Sequence, residues 1–190
     1  MFHNFIENII QTDIDFFLFL NQFHNPFFDV LMTFVSGKFS WIPLYLFILF
    51  LIFKNFKFKK GLVIFLSIIL LIALSDQTSV FLFKFTFLRL RPCFNPEISD
   101  MVHVVNMPGG KYGFISSHAS NGFALAFFTL LIFKNKIYTV LILSWASLVA
   151  YSRIYLGVHY PADVSAGALW GCFLAYLFFI LLRNYIINKS

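Results

Sequence analysis

Charged side chains are scarce in this chain of 190 residues: Asp, Glu, Lys and Arg together make up 12%, about half the share found in a soluble domain. With 60% hydrophobic residues and a mean hydropathy of +0.84, that shortage excludes a water-soluble fold and implies an integral membrane protein. Cysteine is nearly absent. Cys93 lies in a polar stretch and Cys172 inside an apolar run, so a mutual disulfide is not expected and thiols are too few for a metal site. Carboxylates number eight and are dispersed, so neither a two-metal phosphoryl-transfer centre nor any other cofactor is expected. A basic leader is also missing: Glu7, Asp13 and Asp15 occupy the N-terminal segment, unlike a cleavable signal peptide. The net charge of +6 does not point to nucleic acid, because the cations stand in short clusters between apolar runs, where they set membrane topology. The 29 Phe read as lipid-facing and packing bulk.

The expected architecture is all-α, with about five transmembrane helices in a bundle preceded by N-terminal interfacial helices. Residues 1–37 form the interfacial part. From Met1 to about Asn25, Phe, Ile and Leu mix with Glu7, Asp13, Asp15, Asn21, Gln22 and His24. That segment is too polar to cross and suits an amphipathic helix lying in the membrane surface, broken before Pro26. A short helix from Pro26 to Val35 follows. Residues 38–190 form the membrane domain, with spans at about Phe39–Phe53, Gly61–Phe83, Phe114–Phe133, Ile137–Tyr151 and Val164–Leu182. The stretches after Phe53, Phe133 and Leu182 hold Lys54, Lys57, Lys59, Lys60, Lys134, Lys136, Arg183 and Lys189 and no acid. The positive-inside rule therefore puts them, with the C-terminus, in the cytoplasm. All the acidic residues then fall toward the outer side.

This topology brings three polar segments to the outer face. They are Lys84 with Arg89 and Arg91-Pro92, then Ile115-Ser116-Ser117-His118, then Ser152-Arg153 through His159 to Asp163. Charged groups at membrane depth are costly and are kept for a function. Fixed Lys and Arg clamp a tetrahedral anion, and serines with backbone N–H groups at a helix start add donors. Two histidines divide the chemistry: one attacks and the other protonates the departing oxygen. His159 and Asp163, four residues apart, face each other on one helical turn. An Asp that accepts from one ring nitrogen fixes the tautomer and frees the other nitrogen. These residues alone leave open which histidine attacks, although Asp163 favours His159. They also leave open a simpler reading, in which Asp163 caps the last helix. Asp76, eight residues before Lys84, shares its helix face and is read as orienting that basic site, or as a water-exposed acid at a helix end. Arg89 could add to this anion site but reads more simply as a snorkelling interfacial cation, and His103 reads as a solvated loop residue. Gly167 and Gly171 make a small-residue face for close helix packing.

Lys84 with six residues to Arg91-Pro92, Ser116-Ser117-His118, and Ser152-Arg153 with five residues to His159 and three to Asp163 resemble the tripartite signature of the type 2 phosphatidic acid phosphatase superfamily. That superfamily includes bacterial membrane lipid phosphatases and soluble vanadium haloperoxidases. The chain departs from the usual Pro-Ser-Gly-His of the second motif, with Ile115 in place of Pro and Ser117 in place of Gly. It also carries the interfacial segment where six-helix members have a first span. The resemblance implies that His159 is the nucleophile forming a phosphohistidine, Asp163 orients it and His118 is the general acid. Lys84, Arg91, Ser116, Ser117 and Arg153 would hold the phosphoryl oxygens. No metal is implied.

The expected function is therefore hydrolysis of a lipid phosphate at the outer leaflet of a bacterial inner membrane, with the bilayer and the lipid as partners. Undecaprenyl diphosphate is the expected substrate, and phosphatidylglycerophosphate or the 1-phosphate of lipid A are alternatives. A small anion transporter is the reading from another class. It calls for polar residues through the inner halves of the spans, which are instead almost purely Leu, Ile, Phe and Val.

Overall fold

The computed structural model describes residues 2–187; Lys189 lies outside the described residues. Eight α-helices and their connecting turns account for the regular structure among them: α1 (Phe2–Asn21), α2 (Pro26–Ser36), α3 (Ile42–Asn55), α4 (Phe58–Thr78), α5 (Phe85–Phe87), α6 (Ser117–Phe133), α7 (Lys136–Tyr155) and α8 (Pro161–Ile187). A π-helical turn, Ser79–Lys84, joins α4 to α5, making one rod of 30 residues. That rod, α7 and α8 are each long and apolar enough to cross a membrane, and α2 with α3 passes the same test as a pair bent by 73°. Helix α6 is apolar but shorter, with 17 residues. The protein is thus an all-helical membrane protein with three or four helices of spanning length. Large side chains such as Leu70, Phe81 and Leu169 stand more than 60% exposed, which suits contact with lipid.

Local chemistry sets the helix ends. Asn25 caps α2 by accepting from the Phe28 N–H, with Pro26 in the first turn. Asn135 caps α7 in the same way through the Tyr138 N–H. At the bend between α2 and α3, the Trp41 indole donates to the Val35 carbonyl at 2.8 Å. The spans extend beyond the apolar runs. Helix α7 continues to Tyr155 instead of stopping near Tyr151, and α8 begins at Pro161. Polar groups do not end a helix when partners are available, and Ser152 returns its hydroxyl proton to the Val149 carbonyl.

Helix α6 is the centre of the bundle, packed among α4, α7 and α8. Ala124, Phe128, Ile64, Leu71, Ile142 and Leu174 fill the inner core. The expected small-residue face of α8 lies against α6. A Cβ on Gly167 would stand 2.5 Å from the Ser116 carbonyl oxygen, and one on Gly171 would stand 2.1 Å from that of Ser120. Hydroxyl pairs peg the helices together: Ser75 with Ser120 at 2.7 Å, and the Trp170 indole donating to Thr78 at 2.8 Å.

A second core lies where α1 meets the end of α7 and the start of α8: Ile14 and Phe17 pack with Ile98, Ile154, Tyr160 and Val164. Asn21 is buried, donating to the Tyr155 carbonyl and accepting from the His103 N–H. His103 is not the solvated loop residue expected. Its ring stacks on His24 with centroids 3.7 Å apart, and its Nε2 lies 2.9 Å from Asp29, which also accepts from the Tyr155 hydroxyl at 2.7 Å. Gly157, at φ +76°, lets the loop carbonyl of His103 approach where a Cβ would be 2.4 Å away.

Gly171→Ala is expected to force α6 and α8 apart and to destabilise the protein by about 1–3 kcal/mol, the usual cost of overpacking. A lowered thermal midpoint in detergent would register the loss, and an unchanged midpoint would contradict the close approach.

Candidate active site

The loop between α5 and α6 is built to carry cations. Leu88, at φ +50°, ends α5, and the chain then runs extended. The Arg91 N–H donates to the Lys111 carbonyl at 2.9 Å, and the Gly113 N–H donates to the Arg89 carbonyl at 2.8 Å. This short pairing fixes the backbone at both arginines. The start of α6 is fixed too: the Ser116 N–H donates to the Asp163 carbonyl at 3.0 Å, and the Ser116 hydroxyl caps the helix toward the Ala119 N–H.

A cavity of about 1020 Å³ opens beside these elements. Its polar end is lined by Lys84, Arg91, Ser117, His118, Arg153 and His159, and Asp76 also reaches the cavity. Farther in, Tyr45, Ile48, Ile52, Phe65 and Ile69 make an apolar wall between α3 and α4. Lys84 donates to the Ser117 hydroxyl at 3.0 Å. Arg91 donates from one terminal nitrogen to His159 Nε2 at 2.9 Å and to the Val158 carbonyl at 3.2 Å. Arg153 donates to the Ser36 hydroxyl, tying the cavity rim to the bend between α2 and α3. The Nε atoms of Arg91 and Arg153 are buried with no hydrogen-bond partner. A buried unpaired donor costs about 1–3 kcal/mol, so this end of the cavity favours an acceptor.

A guanidinium only donates, so His159 Nε2 is an acceptor and the ring proton sits on Nδ1. Nδ1 faces Asp163 Oδ2 at 3.4 Å, a loose contact. The residues do not share a turn of helix, because His159 precedes α8 while Asp163 is in its first turn. Oδ2 of Asp163 accepts instead from the Tyr160 N–H at 3.1 Å, and Oδ1 accepts from Arg89 at 2.8 Å. Burial, followed by the charges of Arg91, Arg153 and Lys84, pushes the His159 imidazolium well below the usual histidine range. The ring is therefore neutral at physiological pH.

Not every expected site residue meets the cavity. Ser116 and Asp163 are fully buried behind its wall. Asp76 makes no hydrogen bond to Lys84; it accepts from the Asn121 amide at 3.1 Å. Two residues have partners that were not anticipated. Arg89 does not snorkel but bridges Asp163 and Asp13, and Asn121 holds Asp76. Arg89 was legible in part, since residues two apart on an extended segment share a side; Asn121 gave no signal.

The family model for the PAP2 superfamily matches residues 60–187. The chain belongs to the PAP2 superfamily. It is 40% identical over 179 residues to a lipid A 4'-phosphatase of Bacteroides thetaiotaomicron, covering 93% of this chain and 79% of that protein. It is 32% identical over 177 residues to an undecaprenyl-diphosphatase of Sulfolobus acidocaldarius, covering 90% and 79%. The fold is similar to the crystal structure of a transmembrane PAP2-type phosphatidylglycerolphosphate phosphatase from Bacillus subtilis, with a TM-score of 0.72 at 22% identity over 96% of this chain and 90% of that one. This PAP2 protein is thus a membrane lipid phosphatase, a hydrolase, in agreement with its three motifs.

Because folded His159 binds a proton less readily than the unfolded chain, its neutrality stabilises the fold fully above the ordinary value of 6.5. That stability is lost as pH falls from there toward the depressed folded value, at up to about 1.4 kcal/mol per pH unit. Thermal midpoints of His159→Gln should therefore decline less steeply than wild type below pH 6.5. Parallel curves would contradict the buried neutral imidazole.

Proposed function

We propose that this PAP2 phosphatase removes a phosphate monoester from a lipid A-type glycolipid at the outer leaflet, through a phosphohistidine on His159. The observation that carries the reading is the two-ended cavity. Three cations and two imidazoles meet a hydroxyl at its polar end, and an apolar cleft descends from there between α3 and α4. A phosphorylated lipid has the same division. The relative named lipid A 4'-phosphatase, aligned over nearly the whole chain, supports the choice of headgroup. Undecaprenyl diphosphate is the second reading, supported by the undecaprenyl-diphosphatase relative. An anion transporter fits less well, because the inner cavity wall offers Ile, Leu and Phe and no relay of polar groups.

In this mechanism the phosphoryl oxygens take up the guanidinium of Arg91, the Arg153 guanidinium, the Lys84 ammonium and the Ser117 hydroxyl. Turning Arg91 toward the phosphate releases its hold on His159 Nε2, whose lone pair then attacks phosphorus. The P–O bond to the lipid breaks as the P–N bond forms, and His118, protonated once the phosphate charge has offset Lys84, Arg91 and Arg153, delivers that proton to the departing oxygen. Water then attacks the phosphohistidine, His118 takes up the water proton, and the P–N bond breaks to release inorganic phosphate. Asp163 stabilises the positive ring during the intermediate. Ser116 acts indirectly, by capping the helix that presents Ser117 and His118.

For the arrangement in the membrane, we infer five crossings: the bent pair α2–α3, the α4–α5 rod, α6, α7 and α8. Helix α1, within residues 1–37, lies along the outer surface, and the C-terminus is cytoplasmic. The distribution of basic clusters supports this orientation, and it puts the active site on the periplasmic face. Helix α6, about 26 Å long at 1.5 Å per residue, crosses by drawing on the extended residues before it.

His159→Ala should abolish phosphate release from lipid A, and His118→Ala should reduce it roughly 10²–10⁴-fold. Retained turnover in His159→Ala would rule out the assigned nucleophile. Turnover compared on lipid A, undecaprenyl diphosphate and phosphatidylglycerophosphate in one detergent decides the substrate, and the reading expects lipid A to be fastest. A cysteine placed at the exposed loop residue Met107 should react with a membrane-impermeant maleimide in spheroplasts; protection there would reverse the orientation.

A further inference from the structure

Asp163 has two carboxylate oxygens, and only Oδ2 turns toward the reacting histidine, where it accepts from the Tyr160 N–H and faces His159 Nδ1. Oδ1 is held from the opposite side by Arg89 Nη1 at 2.8 Å. The second arm of the same guanidinium, Nη2, donates to Asp13 Oδ2 at 2.7 Å. Asp13 Oδ1 in turn accepts from the Ala162 N–H at 2.9 Å, one of the backbone donors left free at the start of α8. A closed ring of contacts results. It runs from Asp163 through Arg89 to Asp13 and back to the same helix one residue before Asp163. The guanidinium carbon lies 4.1 Å from the centre of the Tyr160 ring, and the Tyr160 hydroxyl accepts from Asn95 at 3.1 Å. Arg89 is thus fixed on its face as well as at both forks.

Two features separate this arginine from the phosphate clamp. It does not line the active-site cavity; it opens on a separate groove of about 410 Å³ with Ile10, Asp13, Phe87 and Tyr160. Each of its terminal nitrogens is also engaged by a carboxylate, which orients the guanidinium away from the cavity. Between the two arginines stands Gly113, where a Cβ would lie 2.9 Å from Asp163 Oδ2 and 3.2 Å from Arg91 Cγ. The backbone is drawn tightly around this carboxylate.

We propose that Arg89 and Asp13 are positioning residues of the phosphatase, which aim the Asp163–His159 pair and make the N-terminal helix α1 part of the catalytic apparatus. The inference rests on the reading of His159 as nucleophile. Without Arg89, the Asp163 carboxylate loses the contact that keeps Oδ2 toward the ring, and His159 loses its orientation while the cradle for phosphate stays intact. Asp13 acts one step further out, by holding the guanidinium and the first turn of α8.

The test is steady-state kinetics on lipid A in detergent, with vanadate inhibition measured in parallel as a report on the phosphate cradle. Arg89→Met is expected to lower kcat roughly 10–100-fold, as loss of a supporting partner does in other sites. KM and the vanadate inhibition constant should stay within about twofold, because ground-state binding is untouched. Asp13→Asn should lower kcat less, and Arg89→Lys should recover part of the loss, since one amine can meet one carboxylate but not both. In an Asp163→Asn background, Arg89→Met should have no further effect, because the residues act as a unit. Unchanged kcat in Arg89→Met or Arg89→Lys, or additive losses with Asp163→Asn, would overturn the proposal. A raised KM and vanadate constant at constant kcat would reassign Arg89 to phosphate binding. Should Arg89→Met fail to run as a single species on gel filtration, Arg89→Lys and Asp13→Asn carry the same comparison. Turnover surviving in His159→Ala, or a wild type that releases no phosphate, would instead sink the underlying reading and the proposal with it.

Discussion

A carboxylate with no exposed surface at the edge of a membrane has to be met by donors on every side, because burying it unpaired costs several kcal/mol. Asp163 is that group, and the outer half of the protein is organised by its requirements. Its carbonyl receives the N–H that begins α6, and its side chain receives the N–H before α8 and the guanidinium of Arg89. Three segments far apart in the chain are therefore held at one point. His159 follows, and so does Arg91, which reaches His159 from the loop pinned against Lys111 and Gly113. Elsewhere the membrane-facing surface is almost purely hydrocarbon.

The electrostatic consequence is an asymmetry. Lys84, Arg91 and Arg153 line the cavity with Asp76 beside them, whereas Asp163 is engaged with Arg89 behind the wall. The cavity side is left with a positive field in a medium that screens it poorly. That field, added to burial, keeps His159 unprotonated and so leaves its outward nitrogen with a lone pair. The same groups that would bind an anion also prepare the imidazole to react with it.

Much of this was legible in the sequence, for physical reasons. Apolar runs of membrane length are a strong signal, and the all-helical bundle followed from them. The spacings from Lys84 to Arg91 and from Arg153 to His159 and Asp163 marked the segments that meet at the cavity. Helix ends were less legible. They depend on caps such as Asn135 and on whether residues like Ser152 find a backbone acceptor, whereas hydropathy registers only where polarity begins. Pairings across long stretches were not legible at all. Asn21 meets His103 across 82 residues, and Arg89 meets Asp13 across 76, with no periodicity to announce either. Asp76 illustrates the same limit: its helix face was read correctly from spacing, but its partner proved to be Asn121 on another helix.

The bend between α2 and α3 leaves the apolar side of the cavity to helices that contribute little to its charged end. The glycine-tight pair α6–α8 and the loop before α6 form a fixed jaw, with α6 and the loop supplying Ser117, His118 and Arg91 to the cavity and α8 backing them. The opposite jaw, made of α3 and the middle of α4, is lined mainly by branched and aromatic side chains such as Ile48, Ile52, Phe65 and Ile69. Replacing Ile48, Ile52 or Ile69 would therefore reshape the groove without removing a hydrogen-bonding group. The hydrocarbon side of the groove can thus change its contour while the polar side, pinned by backbone hydrogen bonds, keeps its own.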